Sequence, residues 1–274
     1  MNPEQITKVL SSFDVYLKSN RVMPDTIKTY TPIAKKFLTS VAGDVLDEEA
    51  FRVYQANNYS AANNTARKTH YALSALYKSQ NIPIHIEAPA KEFEPKRKTI
   101  NPGDMERLII AIKAGGDSTE RGLLALSSTY GLRRKELRYM VREDLDYDNR
   151  TIKVRTAKHG RGRIHLIPDC IFDFISNYDF KLRSDMEYHN IFWGMVKQAG
   201  IKLEAGFGWH SIRRALYTGF VTNGVDWYLR YEFMRWRLMG GFGDGGMDNI
   251  YTRITPGEID KMVFEKHPFL KWWM

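Results

Sequence analysis

Ile152-Lys-Val-Arg-Thr and Arg163-Ile-His-Leu-Ile-Pro alternate apolar and polar residues at a period of two, and they flank Lys158-His-Gly-Arg-Gly. That is the pattern of a β-hairpin with a flexible basic tip. Almost every other apolar stretch repeats at 3.6 residues, so a lone hairpin has to sit in an otherwise helical chain. Ile6, Val9, Leu10, Phe13 and Leu17 form the first stripe. A second helix, capped by Asp25 or Thr26, carries Ile27, Tyr30, Ala34, Phe37 and Leu38. Asp47 opens a third helix and Thr65 to Tyr77 a fourth. Past residue 100, Asn101-Pro-Gly-Asp caps a helix through Ile112, another runs from Arg121 to Ser128, and a third follows Gly131. Helices resume after Asp169. The spacing predicts a helical N-terminal domain over 1–88, a basic linker over 89–103 and a larger α+β domain over 104–274.

Charge suggests a partner. Lys and Arg total 41 against 32 Asp and Glu, and residues 1–95 are nearly balanced at 11 to 10. The excess beyond residue 95 favours a polyanion such as nucleic acid. Lys96, Arg97 and Lys98 stand in a proline-rich stretch, either as a solvated connector or as a strap on phosphates. The single cysteine, Cys170, excludes a disulfide framework. With no apolar run of 18 residues and no signal-like opening, the chain reads as a soluble protein of a reducing compartment.

Two apparent motifs carry little. Gly241-Phe-Gly243-Asp-Gly-Gly246 fits a dinucleotide fingerprint, but the preceding segment reads as helix rather than strand. Asp144-Leu-Asp146-Tyr-Asp148 starts like a calcium loop, yet its twelfth position is Arg155. No metal or cofactor is expected from either.

Four further patterns stand in a telling order. They are Thr129-Tyr-Gly-Leu-Arg133-Arg-Lys-Glu136-Leu, the hairpin tip at Lys158, His210-Ser-Ile-Arg213 and Met247-Asp-Asn-Ile-Tyr251-Thr. Together they resemble the arginine boxes, β-hairpin lysine and nucleophile motif of the tyrosine recombinases, the phage integrase, Xer and Cre family. The resemblance covers nearly the whole chain. It implies a mainly α, two-domain, C-shaped architecture with a small β-hairpin, closing on double-stranded DNA. It also implies cleavage and rejoining through a 3′-phosphotyrosyl intermediate, without metal or ATP, in a homotetramer on paired sites in the cytoplasm at the nucleoid.

Carried onto this chain, the resemblance gives Tyr251 as nucleophile, Arg133 and Arg213 as phosphate-binding forks, Lys158 as general acid and His210 as a proton-handling or phosphate-binding partner. Arg134 is the rival of Arg133, and Glu136 is placed to orient an arginine or the histidine. Lys96, Arg97, Lys98, Arg161 and Arg163 are expected on DNA phosphates. The chemistry suits these types. Guanidinium donates as a planar fork and stays protonated, whereas phenol, with a pKa of about 10, needs a positive environment to attack. One departure is Phe242, nine residues before Tyr251, where the family usually has His or Trp. It keeps open a catalytically impaired DNA-binding homologue, beside a topoisomerase of related mechanism. The aromatic cluster from Trp227 to Trp236 reads as core or a subunit contact, with Arg230, Arg235 and Arg237 offering a DNA-facing edge. The apolar tail Ile259 to Met274 reads either as docking on its own domain or, on the family's habit, as docking on a neighbouring protomer, which is the preferred reading.

Overall fold

The structure, a computed structural model, describes residues 1–41, 46–58, 63–90, 98–156, 162–236 and 254–274. The chain divides into two compact units, Met1–Pro95 and Lys96–Met274. Among the described residues no helix is long and apolar enough to cross a membrane.

The first unit holds α1 (Pro3–Ser19), α2 (Pro24–Ser40), α3 (Glu48–Asn57) and α4 (Asn63–Ser79). Their stripes meet in one core around Phe13, Leu17, Phe37, Phe51, Leu76 and Tyr77. Asp47 caps α3 by accepting the Ala50 N–H at 2.8 Å. The second helix begins earlier than the expected Asp25 or Thr26. Pro24 takes its first position and Met23 its N-cap, without a side-chain cap, because proline has no N–H to satisfy there.

In the second unit α5 (Pro102–Gly115), α8 (Asp169–Ser176) and α10 (Trp209–Thr222) pack against α6 (Ser118–Tyr130). Every residue of α6 from Gly122 to Tyr130 is buried, so this helix is the axis of the core. It ends at Gly131, whose φ of +59° is left-handed. A Cβ there would lie 3.0 Å from Met234 and 3.2 Å from Leu216, so glycine is required by both conformation and space. The turn releases Arg133 at the edge of the core.

A three-stranded antiparallel sheet, β1 (Leu145–Asp146), β2 (Thr151–Val154) and β3 (Arg163–Leu166), covers one side. The register pairs Ile152 with His165 and Val154 with Arg163. Apolar alternation in β3 would turn Ile164 inward. The structure inverts it: Arg163 and His165 are buried, and Ile164 is 55% exposed. A strand has only two faces, and the inner one is set here by a buried carboxylate, Asp260, on α12 (Pro256–Glu265). The tail follows the own-domain reading. The final helix, α13 (Leu270–Trp273), packs on α5 and α8 of its own unit. Trp273 is buried and donates its indole N–H to Ser128 at 3.1 Å. His267 fastens the preceding turn, with Nε2 on the Thr129 carbonyl at 3.0 Å and Nδ1 accepting the Phe269 N–H at 3.1 Å.

Candidate active site

The site grows from two helix starts. After the Gly131 turn, Arg133 stands at the head of α7 (Arg134–Arg138). Its N–H donates to Glu136 Oε2 at 2.9 Å and its guanidinium to Glu136 Oε1 at 2.7 Å. The spacing of three residues puts Glu136 one turn on, where it satisfies the orphan N–H of the helix start. The second start is α10, anchored by the Trp209 indole donating to the Tyr188 carbonyl at 2.8 Å. His210 and Arg213 lie three residues apart on α10 and share a face.

Arg213 is buried and holds two backbone carbonyls, those of Gly131 and, at 2.9 Å, Met234. Its guanidinium lies 5.5 Å from the Trp236 ring centre, a cation–π distance. Burial first, then the Arg235 and Arg133 guanidiniums, push it down to about 9, so it remains a cation at neutral pH. Burial opposes ionisation of Glu136, but Arg235, the Arg133 N–H, Arg133 and Arg213 outweigh it and hold the carboxyl below the usual range. Three guanidiniums therefore surround one carboxylate, a net charge of about +2 in a mostly dehydrated place. That arrangement suits an anion.

His210 opens onto an adjoining cleft of about 450 Å³, whose lining includes Arg133, Arg134, Phe207, Ser211 and Arg214. Desolvation, followed by the Arg214, Arg213, Arg133 and Arg134 guanidiniums, holds its imidazole below the ordinary value. In its uncharged form the ring can donate from one nitrogen and accept at the other.

Of the remaining sequence candidates, Arg134 points to Asp185 on the protein surface at 3.1 Å, whereas Arg133 is held by the buried Glu136. Lys98 is engaged by Glu204 at 2.8 Å and by the Ala205 carbonyl. Arg163, expected on DNA, is 9% exposed; it donates to Asp260 at 2.7 Å and to the Pro256 carbonyl at 2.8 Å. Its place on the inner face of β3 makes it a structural cation. Tyr251, Lys158, Phe242, Lys96, Arg97 and Arg161 lie outside the described residues.

Two functional candidates escaped the sequence. Arg235, expected on a DNA-facing edge, is instead 2% exposed, with its guanidinium 3.1 Å from Glu136. Trp236 is the aromatic that meets Arg213. Arg235 has a left-handed φ of +59°, a turn that swings the chain after α11 (Trp227–Phe233) inward. Arginine gives no sign of such a turn; only the end of the aromatic stripe at Phe233 marks the place.

No family model matches the chain. Among curated proteins it is similar to tyrosine recombinase XerA of Thermococcus kodakarensis, 25% identical over 273 residues and 93% of each chain. It is also similar to tyrosine recombinase XerD of Staphylococcus saprophyticus, 22% identical over 230 residues, 75% of this chain and 74% of the relative. Among solved structures, a lambda integrase dimer bound to a COC′ core site matches with TM-score 0.66 at 13% identity, over 85% of this chain and 92% of the other. XerH recombinase bound to its difH substrate matches with TM-score 0.58 at 14% identity, over 76% and 73%. Along most of its length the chain is similar in sequence to proteins named tyrosine recombinases, and it shares the fold of a solved integrase and a solved site-specific recombinase.

Proposed function

We propose that this chain is a site-specific DNA recombinase that breaks and rejoins strands through a 3′-phosphotyrosyl link. The observation that carries the reading is the cluster of Arg133, Arg213 and Arg235 around the buried Glu136, with His210 close by on α10. A phosphodiester carries one negative charge, and in-line attack builds a second on its oxygens. A pocket of about +2 favours that state over the ground state, which is what acceleration requires. Arg133 and Arg213 take the non-bridging oxygens. The phenolic oxygen of Tyr251 bonds to phosphorus, its proton passing to His210. The bond to the 5′-oxygen breaks, and that oxygen receives a proton from Lys158. Attack by a 5′-hydroxyl on the phosphotyrosine reverses these steps, so the phosphodiester energy is conserved.

Two lines support the partners. The similar lambda integrase is seen as a dimer on a core site and as a tetramer on a Holliday junction, and the basic excess of this chain suits a polyanion. We assign it double-stranded DNA as substrate, a homotetramer on paired sites as the working assembly, and the cytoplasm at the nucleoid as its place.

The test uses a library of nicked duplexes of random sequence, incubated with the full chain in EDTA and denatured before electrophoresis. A covalent protein–DNA band is expected. Arg213→Ala should weaken it on the order of 10²–10³-fold, the usual loss for one transition-state donor. A wild-type chain that forms no band, or a band untouched by the substitution, contradicts the reading.

A further inference from the structure

Behind the candidate phosphate site lies a second polar layer to which no step of the reaction assigns a role. Asp260 on α12 is wholly buried and accepts from Arg163 at 2.7 Å and from the Leu166 N–H at 2.8 Å. His165 on β3 is also wholly buried, with Nδ1 3.2 Å from the same carboxylate and Nε2 3.2 Å from Arg235 Nη1. A guanidinium only donates, so Nε2 must accept and the ring proton sits on Nδ1, facing Asp260. The imidazole is thereby fixed as one neutral tautomer. Burial, opposed by Asp260 and reinforced by Arg235 and Arg163, takes it down to about 4, in the same sense.

Arg235 is held on both ends of its fork. Nη1 reaches His165 and the carbonyls of Tyr130 and Phe233, each at 3.3 Å, while Nη2 reaches Glu136 Oε2 at 3.1 Å. That oxygen also accepts the Arg133 N–H, and the other oxygen takes the Arg133 guanidinium. Without Arg235 the carboxylate would be fixed by Arg133 alone and free to turn with it. The left-handed backbone of Arg235 is a conformation that L residues adopt at a cost, retained where surrounding contacts dictate it.

We propose that Asp260, His165 and Arg235 are positioning residues, a buried relay that fixes Glu136 and through it the guanidinium of Arg133. The proposal rests on the recombinase reading for its consequence in catalysis, but its geometry does not. Donors and acceptors alternate from Asp260 to Arg133, so each group is oriented by the one behind it, as outer partners orient ligands at metal and catalytic sites. The relay also joins β3, which leads out of the hairpin of Lys158, to α12, which follows the Tyr251 segment in sequence.

The test compares His165→Leu, which removes the acceptor, with His165→Gln, whose amide offers an oxygen to Arg235 and an N–H to Asp260. Covalent adduct formation is measured at saturating duplex, beside duplex affinity. His165→Leu should slow the adduct step at least tenfold with affinity within threefold, and His165→Gln should recover to within threefold of wild type. In an Arg133→Ala background His165→Leu should add nothing, since both remove one function. Multiplicative losses, a defect in affinity alone, or no rescue by glutamine overturn the relay.

A second readout needs no cleavage. In ¹⁵N-arginine protein the Arg133 side-chain signal, assigned by its loss in Arg133→Lys, should shift in His165→Leu and in Asp260→Asn. An unmoved signal in a folded variant overturns the proposal. If wild type forms no adduct, the recombinase reading falls and the arginine signals alone decide the relay.

Discussion

Glu136→Gln removes the one negative charge among three guanidiniums while keeping size and shape. The Glu136 side chain is 0% exposed and paired with Arg133 at 2.7 Å and Arg235 at 3.1 Å. Breaking a buried pair on one side costs about 3–5 kcal/mol, because the remaining cations are left uncompensated. The glutamine oxygen still accepts one hydrogen bond, worth about 1 kcal/mol, which places the expected loss near 3 kcal/mol. For a unit of this size that is about 6–12 °C in Tm. Sulfate supplies the reasoning's own control. An anion seated among the guanidiniums should stabilise the variant more than wild type; at a hundredfold excess over its Kd for the variant, sulfate adds about 2.7 kcal/mol to the variant's stability. Acid gives a further check. The Glu136 carboxyl is held below its ordinary value, so its contribution is present above the carboxylate range and lost as pH falls through the folded value. Thermal unfolding with and without sulfate is the assay. A variant within 1 kcal/mol of wild type, or one indifferent to sulfate, would refute the idea of a charge-balanced anion pocket.

Three further outcomes can be checked separately. Arg163→Ala should destabilise the second unit by about 3 kcal/mol by removing the guanidinium paired with the buried Asp260, yet leave the salt dependence of DNA binding unchanged, whereas loss of a phosphate contact lowers that slope by about 0.9. His165 and His267 are both taken down to about 4, chiefly by burial. The unfolded chain therefore binds protons first as pH drops below about 6.5, and stability should fall by about 1.4 kcal/mol per pH unit for each histidine between 6.5 and 4. Urea melts at several pH values measure it, His267→Gln should roughly halve the slope, and a flat profile over that window contradicts the assignment. Trp273→Ala should cost about 3–5 kcal/mol in urea unfolding, since the ring is buried and its N–H is held by Ser128; a loss under 1 kcal/mol would mean the tail is not part of this core.

Local patterns in the sequence carried much of the fold. Period-two alternation marked the hairpin, and 3.6-residue stripes marked α1, α2, α4 and α5. Asn101 and Asp47 announced helix starts that the structure caps with those side chains. The site was legible where its residues are sequence neighbours: Arg133 with Glu136, and His210 with Arg213. What stayed hidden depends on partners far away in the chain. His165 and Arg163 face inward because Asp260, about a hundred residues later, waits there, and apolar alternation alone argues the opposite face. Arg235 read as a surface cation because nothing local reports a left-handed turn. The tail's apolar residues signalled burial without saying whether against its own domain or a neighbour; in the structure its last helix packs on α5 and α8, with Ser128 holding Trp273.

The most direct test of the account is to digest the covalent protein–DNA adduct with nuclease and protease and locate the nucleotide-bearing residue by mass spectrometry. The account predicts a 3′-nucleotide on the phenolic oxygen of Tyr251, and no adduct from Tyr251→Phe. A nucleotide on another side chain, or an adduct that persists in Tyr251→Phe, would contradict it.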